Sequence, residues 1–265
     1  MPRFFTHQLL SPGCTIELEP SVARHVQVLR LQPGDAITLF NGLGSGPGDG
    51  QGKESGVDGE YAAHVKAMGR TTVSVVVGDF AKTRTGPVRV VHLAVGMPAN
   101  DRMDWLVEKA TELGVTSIAP LMTERSVLRL QGERLNKKLA HWRAVAIAAS
   151  EQCGRSRVPQ ILAPANLAAY LKTLENTTPA GMSQAAGQAT RHVRLVLSLQ
   201  GGALPLTGFA AGHDAFTLLS GPEGGLSPAE EIAAQTAGFS ALSLGPRTLR
   251  AETAPLAALA CLQLL

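Results

Sequence analysis

The sequence has few of the residues that build disulfide, metal or aromatic-rich sites. Among 265 residues there are three cysteines, Cys14, Cys153 and Cys261, which are far apart and odd in number. No CxxC pair or histidine cluster gives metal-ligand spacing, so we expect neither a disulfide framework nor a metal site. Aromatic residues make up only 4% of the chain, and the core must therefore be aliphatic.

Long unbroken apolar segments are also missing. The uncharged stretch at residues 195–212 is interrupted by glycines and by Pro205, which makes it a poor membrane span. The amino terminus has no signal-peptide pattern. We therefore expect a soluble, cytoplasmic protein with no membrane partner. Because 45% of the residues are hydrophobic and 17% are charged, the composition predicts a globular chain rather than a disordered one.

The net charge of +3 is small but unevenly distributed. Residues 81–160 carry thirteen basic and seven acidic side chains, whereas acidic residues outnumber basic ones on both sides of this segment. A basic middle third suits a polyanionic partner such as nucleic acid. A set of solvated helix faces explains the same charges equally well.

The first eighty residues predict mostly β-structure. Short apolar runs at Ala36–Phe40, Tyr61–Val65 and Thr71–Val77 indicate strands, and a short helix is predicted at Ser21–Leu29. The stretch Gly42–Gly59 is rich in glycine and nearly free of apolar residues, which is typical of a flexible hairpin insertion.

After a predicted linker at Lys82–Pro87, the pattern changes to alternating strands and helices, which predicts a mostly parallel sheet covered on both faces. Glu175–Thr190 is expected to be a loose loop. The predicted strands are Val88–Val95, Ser117–Leu121, Gln160–Leu162, Val193–Leu199, Phe216–Leu219 and Ala241–Leu244, and the predicted helices are Asp101–Leu113, Gly132–Gln152, Asn166–Leu174 and Pro228–Ala237, with a last helix that extends to Leu265.

The helix at Asp101–Leu113 has a second stripe beside its apolar face, formed by Arg102, Trp105, Lys109 and Glu112. Trp105 on this stripe could stack on a base or pack against another subunit. Ordinary tertiary packing of Trp105 is the simpler explanation.

A glycine-rich loop follows the predicted strand at Phe216–Leu219. Ser220-Gly-Pro-Glu-Gly-Gly225 leads into Ser227-Pro-Ala-Glu230, which has the N-cap, first-turn proline and capping-box acid of a helix start. Strand-to-helix turns at the carboxyl ends of parallel strands are where α/β sheets bind ligands. The loop lacks a phosphate-binding pattern, and Glu223 would repel a triphosphate but tolerate a cationic ligand.

A second loop, Leu244-Gly-Pro-Arg-Thr-Leu-Arg250, joins the last predicted strand to the last helix. Arg247, Arg250 and Glu252 cluster beside an apolar segment, where charges are costly unless they are paired or used. A structural Arg–Glu ion pair is the alternative explanation. Two such loops on nearby strands of one sheet favour a binding site more than either loop does alone.

These segments, taken together, resemble a known family. The chain is similar to the RsmE-type 16S ribosomal RNA uridine-N3 methyltransferases of the SPOUT superfamily over nearly its whole length. The matching segments, in chain order, are Met1–Phe5, His25–Arg30, Pro33–Asp35, Arg102–Gly114, Thr123–Ser126, Glu151–Ser156, Ser220–Leu226 and Leu244–Thr253.

The resemblance implies a PUA-like β-barrel domain at residues 1–81 and a SPOUT methyltransferase domain at 82–265 with a trefoil-knotted parallel sheet. It also implies S-adenosylmethionine as cofactor, 16S rRNA in the small ribosomal subunit as substrate, and a homodimer. The cofactor-binding residues carried over are Leu197, Ser220, Gly221, Pro222, Glu223, Gly224, Gly225, Leu244, Gly245, Thr248 and Leu249.

The expected catalytic residues are Arg250 and Arg247, to stabilise a developing uracil anion, and Glu252, to orient an arginine or accept a proton. Expected RNA-binding residues are Arg3, Arg24, Arg30, Arg102, Arg125 and Arg155. Two other functions remain open at this level: a non-catalytic RNA-binding protein with this fold, and a SPOUT enzyme that methylates ribose 2′-hydroxyls.

Overall fold

The structure is a computed structural model of the chain, and it describes residues 1–42, 58–83, 88–99, 101–175 and 191–264. The chain divides into two compact units. The first contains Met1–Gly86 and Ile147–Val158, and the second contains Pro87–Ala146 and Pro159–Leu265. Most of the predicted insertion at Gly42–Gly59, of the linker at Lys82–Pro87 and of the loop at Glu175–Thr190 lies outside the described residues.

Within the described residues, the first unit contains a five-stranded sheet, one short helix and the end of a longer helix. Its strands run in the order β1-β3-β4-β5-β2, and the pair β1–β3 is parallel while the other pairs are antiparallel. Alternate residues of β4 and β5 point into an aliphatic core that includes Val65 and Val75. Its elements are β1 (Arg3–Phe5), β2 (Thr15–Glu17), α1 (Pro20–Val28), β3 (Ala36–Phe40), β4 (Gly59–Met68) and β5 (Val73–Lys82).

The second unit is an α/β structure. Its strands are β6 (Val90–Gly96), β7 (Ser117–Met122), β8 (Gln160–Ile161), β9 (Ala165–Asn166), β10 (His192–Leu197), β11 (Leu204–Pro205), β12 (Ala215–Ser220) and β13 (Phe239–Ser243). Its helices are α2 (Asp101–Glu112), α3 (Gly132–Cys153, which continues into the first unit), α4 (Leu167–Glu175), α5 (Thr207–Ala210), α6 (Pro228–Thr236) and α7 (Thr253–Leu264).

The strands of this second sheet run in the order β11-β13-β10-β12-β6-β7-β8, with β9 paired to β7, and every pair is parallel. The predicted parallel α/β sheet is confirmed. Helices α4 and α6 pack against one aliphatic cluster of the sheet, while α7 packs on β6 and β12. β12 is buried along its full length. Its residues are mostly apolar in succession, as is typical of a parallel strand that is covered on both faces.

Arg194 on β10 shows how a charge is accommodated beside this sheet. Its guanidinium donates to the carbonyl oxygens of Leu174 at 2.9 Å and Ala237 at 3.0 Å, which lie at the ends of α4 and α6. A cation at the carboxyl end of a helix is favourable because it satisfies carbonyls that have no partner within the helix. Arg194 therefore joins the ends of both helices.

The long elements fall within a few residues of their predicted bounds, and the capping box of α6 is present, with Ser227 and Glu230 exchanging hydrogen bonds. The short elements β1, β2, β9, β11 and α5 were not predicted. Trp105 on α2 is 44% exposed, so tertiary packing covers only part of its surface and the rest is open to solvent.

Candidate active site

Glycines fix the shape of the loop after β12. A Cβ on Gly221 would lie 2.6 Å from the backbone of Gly225 and Leu226, and Gly225 has a φ of +69°. Both positions therefore need glycine, one for space and the other for conformation. The loop turns sharply from the strand into the capping box of α6.

The loop after β13 has a similar turn. Gly245 has a φ of +101°, and its N–H donates to the Oγ of Ser243. The chain then passes Arg247 and Arg250, which are exposed, before α7 begins. Because β10 lies between β12 and β13, the two loops emerge on either side of it.

The two loops and the end of β10 enclose a cavity of about 260 Å³. All eleven residues expected to bind cofactor line it, as does Arg247. The other lining residues, which the sequence did not single out, are Ser198, Leu199, Leu242, Ala251 and Ala254. The sequence offered little indication of these residues, because the sequence pattern of an apolar strand end is the same whether the strand packs against protein or against a ligand.

The cavity is lined mainly by aliphatic side chains and by glycine backbone, with few polar side-chain groups. One of these, the Oγ of Ser220, is buried and has no hydrogen-bond partner among the described residues. A buried hydroxyl without a partner costs free energy, and a bound ligand would relieve that cost. A mainly apolar slot that contains glycine backbone and the buried hydroxyl of Ser220 suits a nucleoside with an aliphatic tail.

Two of the arginines expected to contact RNA form hydrogen bonds with the loop after β12. Arg125 donates to the carbonyl oxygen of Gly224 at 2.7 Å, and Arg102 donates to Glu223 Oε1 at 3.2 Å. The N–H of Ala99 also donates to Glu223 Oε1, at 3.0 Å. Both guanidinium groups therefore have protein partners in this structure, and RNA contact by Arg102 and Arg125 stays a prediction.

The Glu252 carboxylate is buried at the start of α7, with the residue only 8% exposed. Its Oε1 lies 4.0 Å from Arg102 Nε, and its Oε2 has no hydrogen-bond partner in the part of the chain that the structure describes. The ion pair that the sequence suggested within the Arg247–Glu252 cluster is therefore formed with Arg102, from a distant part of the chain. The separation along the sequence explains why no local pattern predicted it.

The remaining arginines expected to contact RNA lie in the first unit and have different surroundings. Arg24 and Arg30 are exposed. Arg3 donates to Glu60 Oε2 at 2.7 Å and to the carbonyl oxygen of Ser150 at 3.1 Å, and Arg155 is only 5% exposed. Arg3 and Arg155 thus have protein partners or are buried, and their contact with RNA stays a prediction.

Neither a metal cluster nor a membrane helix is found within the described ranges. No group of three or more His, Cys, Asp or Glu side chains there could hold a metal ion. No helix there is long and apolar enough to cross a membrane.

A cavity at the carboxyl ends of parallel strands, walled by strand-to-helix turns, defines an α/β protein that binds a small ligand at the edge of its sheet. The particular family follows from sequence comparison. The family model described as RNA methyltransferase domain matches residues 85–263, and the chain belongs to that family.

Individual relatives agree with this assignment. The chain is 28% identical to ribosomal RNA small subunit methyltransferase E of Bacillus subtilis, over 99% of this chain and 96% of the relative. A crystal structure of the Neisseria gonorrhoeae methyltransferase E bound to S-adenosylmethionine is 31% identical, with a TM-score of 0.82 over 100% of this chain and 97% of that one. A putative methyltransferase of Legionella pneumophila with bound S-adenosylmethionine is 30% identical, with a TM-score of 0.83 over 99% and 96% of the two chains.

Proposed function

We propose that the protein transfers a methyl group from S-adenosylmethionine to N3 of a specific uridine in 16S rRNA. The observation that carries the proposal is the cavity itself, because both loops that resemble the family's cofactor motifs line it together. The relatives named ribosomal RNA small subunit methyltransferase E support methylation of small-subunit rRNA, and the two similar structures with S-adenosylmethionine bound support the cofactor.

The cofactor would bind between the two loops. The backbone of Gly221–Gly225 and the hydroxyl of Ser220 would meet its polar atoms, while Leu197, Leu244 and Leu249 would cover the adenine. When bound, the cofactor supplies an electrophilic methyl group on a sulfonium. The scarcity of cations among the lining side chains, with Arg247 the exception, suits a ligand whose reactive centre is itself positive.

The uracil N3–H must lose its proton as N3 attacks the methyl group. The new N–C bond forms as the C–S bond breaks, and the sulfur leaves as a neutral thioether. Arg250 and Arg247 are exposed beside the cavity and would stabilise the developing charge on the uracil oxygens. Glu252 would take the proton or hold an arginine in place, and its Oε2, which has no hydrogen-bond partner among the described residues, is compatible with either role.

The substrate RNA would contact the first unit through Arg24 and Arg30, whose side chains are exposed. Arg3, Arg102, Arg125 and Arg155 would also face RNA under the same proposal, but protein partners or burial already hold them, so Arg24 and Arg30 are the residues to test first. The target base must leave its stack to reach a methyl group held inside a cavity.

The remaining architectural expectations are also proposals. A five-stranded sheet around its own core supports a PUA-like domain at residues 1–81, with the methyltransferase domain at 82–265. The non-sequential strand order around β10 is compatible with a trefoil knot. Trp105 and Leu264, on the two packed helices α2 and α7, are exposed apolar side chains that a second copy in a homodimer would cover.

Methyl transfer to small-subunit RNA, supplied both free and in assembled subunits, tests the proposal. Wild-type protein should transfer methyl groups, and Arg250→Ala should lower the rate at least tenfold while cofactor affinity stays within about twofold. Full-rate transfer by Arg250→Ala would exclude the role of Arg250. Cofactor binding without any methylation of RNA would favour a non-catalytic RNA-binding protein.

A further inference from the structure

Three chain segments meet at one side of the cavity. Gly96 at the end of β6 packs against the first loop so closely that a Cβ there would lie 2.6 Å from the Cδ of Pro222. The N–H of Ala99 then binds Glu223 of the same loop at 3.0 Å. The start of α2 is thereby anchored to the loop after β12.

Arg102 extends this anchor to the loop after β13. Its Nη1 lies 3.2 Å from Glu223 Oε1, and its Nε lies 4.0 Å from Glu252 Oε1. Glu223 lines the cavity, whereas Glu252 belongs to the proposed catalytic cluster. A single guanidinium thus contacts carboxylates from both walls of the site.

The helix itself gives no reason for an arginine at this position. Arg102 lies in the first turn of α2, where the helix dipole favours acidic residues such as Asp101 and Asp104. A cation there is mildly unfavourable unless it has acidic partners. The two carboxylates supply that compensation, and the planar fork of arginine can serve both at once.

We propose that Arg102 is a positioning residue that couples the cofactor loop to the catalytic cluster through Glu223 and Glu252. Its guanidinium fixes the separation of the two walls before a ligand arrives and keeps a counter-charge beside the buried Glu252. This role rests on the proposed function, because it concerns the same cavity. It does not require Arg102 to touch RNA, cofactor or the reacting atoms.

A double-mutant cycle on cofactor affinity tests the coupling without any RNA. The dissociation constant of S-adenosylmethionine is measured by calorimetry for the intact protein, for Glu223→Gln, for Glu252→Gln and for the double variant. Since both acids share Arg102, their effects should be non-additive by about threefold or more. In an Arg102→Met background the same substitutions should be additive within about twofold.

Two further variants separate this role from general support of the loop. Arg125→Met removes a brace on the Gly224 carbonyl but touches neither carboxylate, so it should weaken cofactor binding and leave the coupling intact. Arg102→Lys keeps the charge without the fork and should retain part of the coupling. The melting temperature of each variant verifies that it is folded.

The outcomes distinguish this inference from the proposed function. If the wild-type protein binds the cofactor but the effects of Glu223→Gln and Glu252→Gln on affinity are additive, the role of Arg102 is overturned while the proposed function stands. Equal coupling in the Arg102→Met background, or loss of coupling in Arg125→Met, overturns it as well. Failure of the wild-type protein to bind S-adenosylmethionine overturns the proposed cofactor, and the inference with it.

Discussion

Arg30 occupies a backbone conformation that usually belongs to glycine. Its φ of +57° places it in the left-handed region just after α1. Its N–H donates to Gln27, and the next N–H, of Leu31, donates to Val26, which completes a Schellman motif. A non-glycine residue in this conformation carries backbone strain, and this strain makes Arg30 a good position at which to test the proposed RNA contact.

Arg30→Gly should therefore raise the free energy of unfolding by up to about 1 kcal/mol, because glycine adopts positive φ without strain. The same change should weaken RNA binding. It should also reduce the slope of log affinity against log salt concentration by about one, the amount expected for one lost phosphate contact. Urea unfolding and RNA titrations at several salt concentrations measure the two effects. Arg24→Ala, on an ordinary helical position, is the control: it should weaken RNA binding without stabilising the fold. Wild-type RNA affinity in Arg30→Gly would remove Arg30 from the proposed RNA surface.

Ser220 carries the other single-residue prediction. Because its buried hydroxyl lacks a partner among the described residues, Ser220→Ala should leave the melting temperature of the ligand-free protein unchanged or slightly higher. Cofactor affinity should fall by about three- to tenfold, since the hydroxyl would bind the ligand. Thermal melts with and without S-adenosylmethionine measure both quantities. Unchanged affinity would show that the hydroxyl does not meet the ligand.

Among the elements, the loop after β12 depends most strictly on its sequence. Gly221→Ala would push a methyl group into the backbone at Gly225 and should reduce cofactor affinity by tenfold or more, or destabilise the loop outright. Gly201→Ala is a matched control, because a Cβ on Gly201 meets nothing within 4 Å. Calorimetric titration compares the two. Equal, small effects would mean that the loop does not shape the site.

The sequence predicted the long elements and the position of the cavity for specific reasons. The capping box of α6 and the apolar runs of β6 and β12 are local signals. Strands of two or three residues, such as β2, β9 and β11, have too little periodicity to stand out and form only through pairing with distant strands. The contact between Arg102 and Glu223 spans 121 residues, and no sequence spacing indicates it.

At the scale of the whole molecule, the free energy of unfolding should fall on acidification because of His192, the first residue of β10. Burial, and then the nearby Arg194, lower the pKa of His192 from 6.5 to about 4. Burial also lowers the pKa of His92. The folded state therefore resists protonation that the unfolded chain accepts.

The pH window follows from these shifts. Above pH 6.5, His192 is neutral in both the folded and the unfolded state, and its full contribution to stability is present. Between about pH 6.5 and 4, the unfolded state gains a proton that the folded state does not, so this contribution is lost. Urea unfolding at pH 7.5, 5.5 and 4.5 should show a steady loss, and His192→Gln should flatten it. Glu151, whose pKa is raised by burial, acts in the opposite direction. An equally steep loss in His192→Gln would assign the effect to other groups.

The most direct test of the proposed function is identification of the methylated nucleoside. Small-subunit RNA from a strain that lacks this protein is incubated with the purified chain and isotopically labelled S-adenosylmethionine, then digested and analysed by mass spectrometry. The account predicts a single labelled product, uridine methylated at N3, at one position in 16S rRNA. A label on a ribose 2′-oxygen, on another base, or on no nucleoside at all would contradict it.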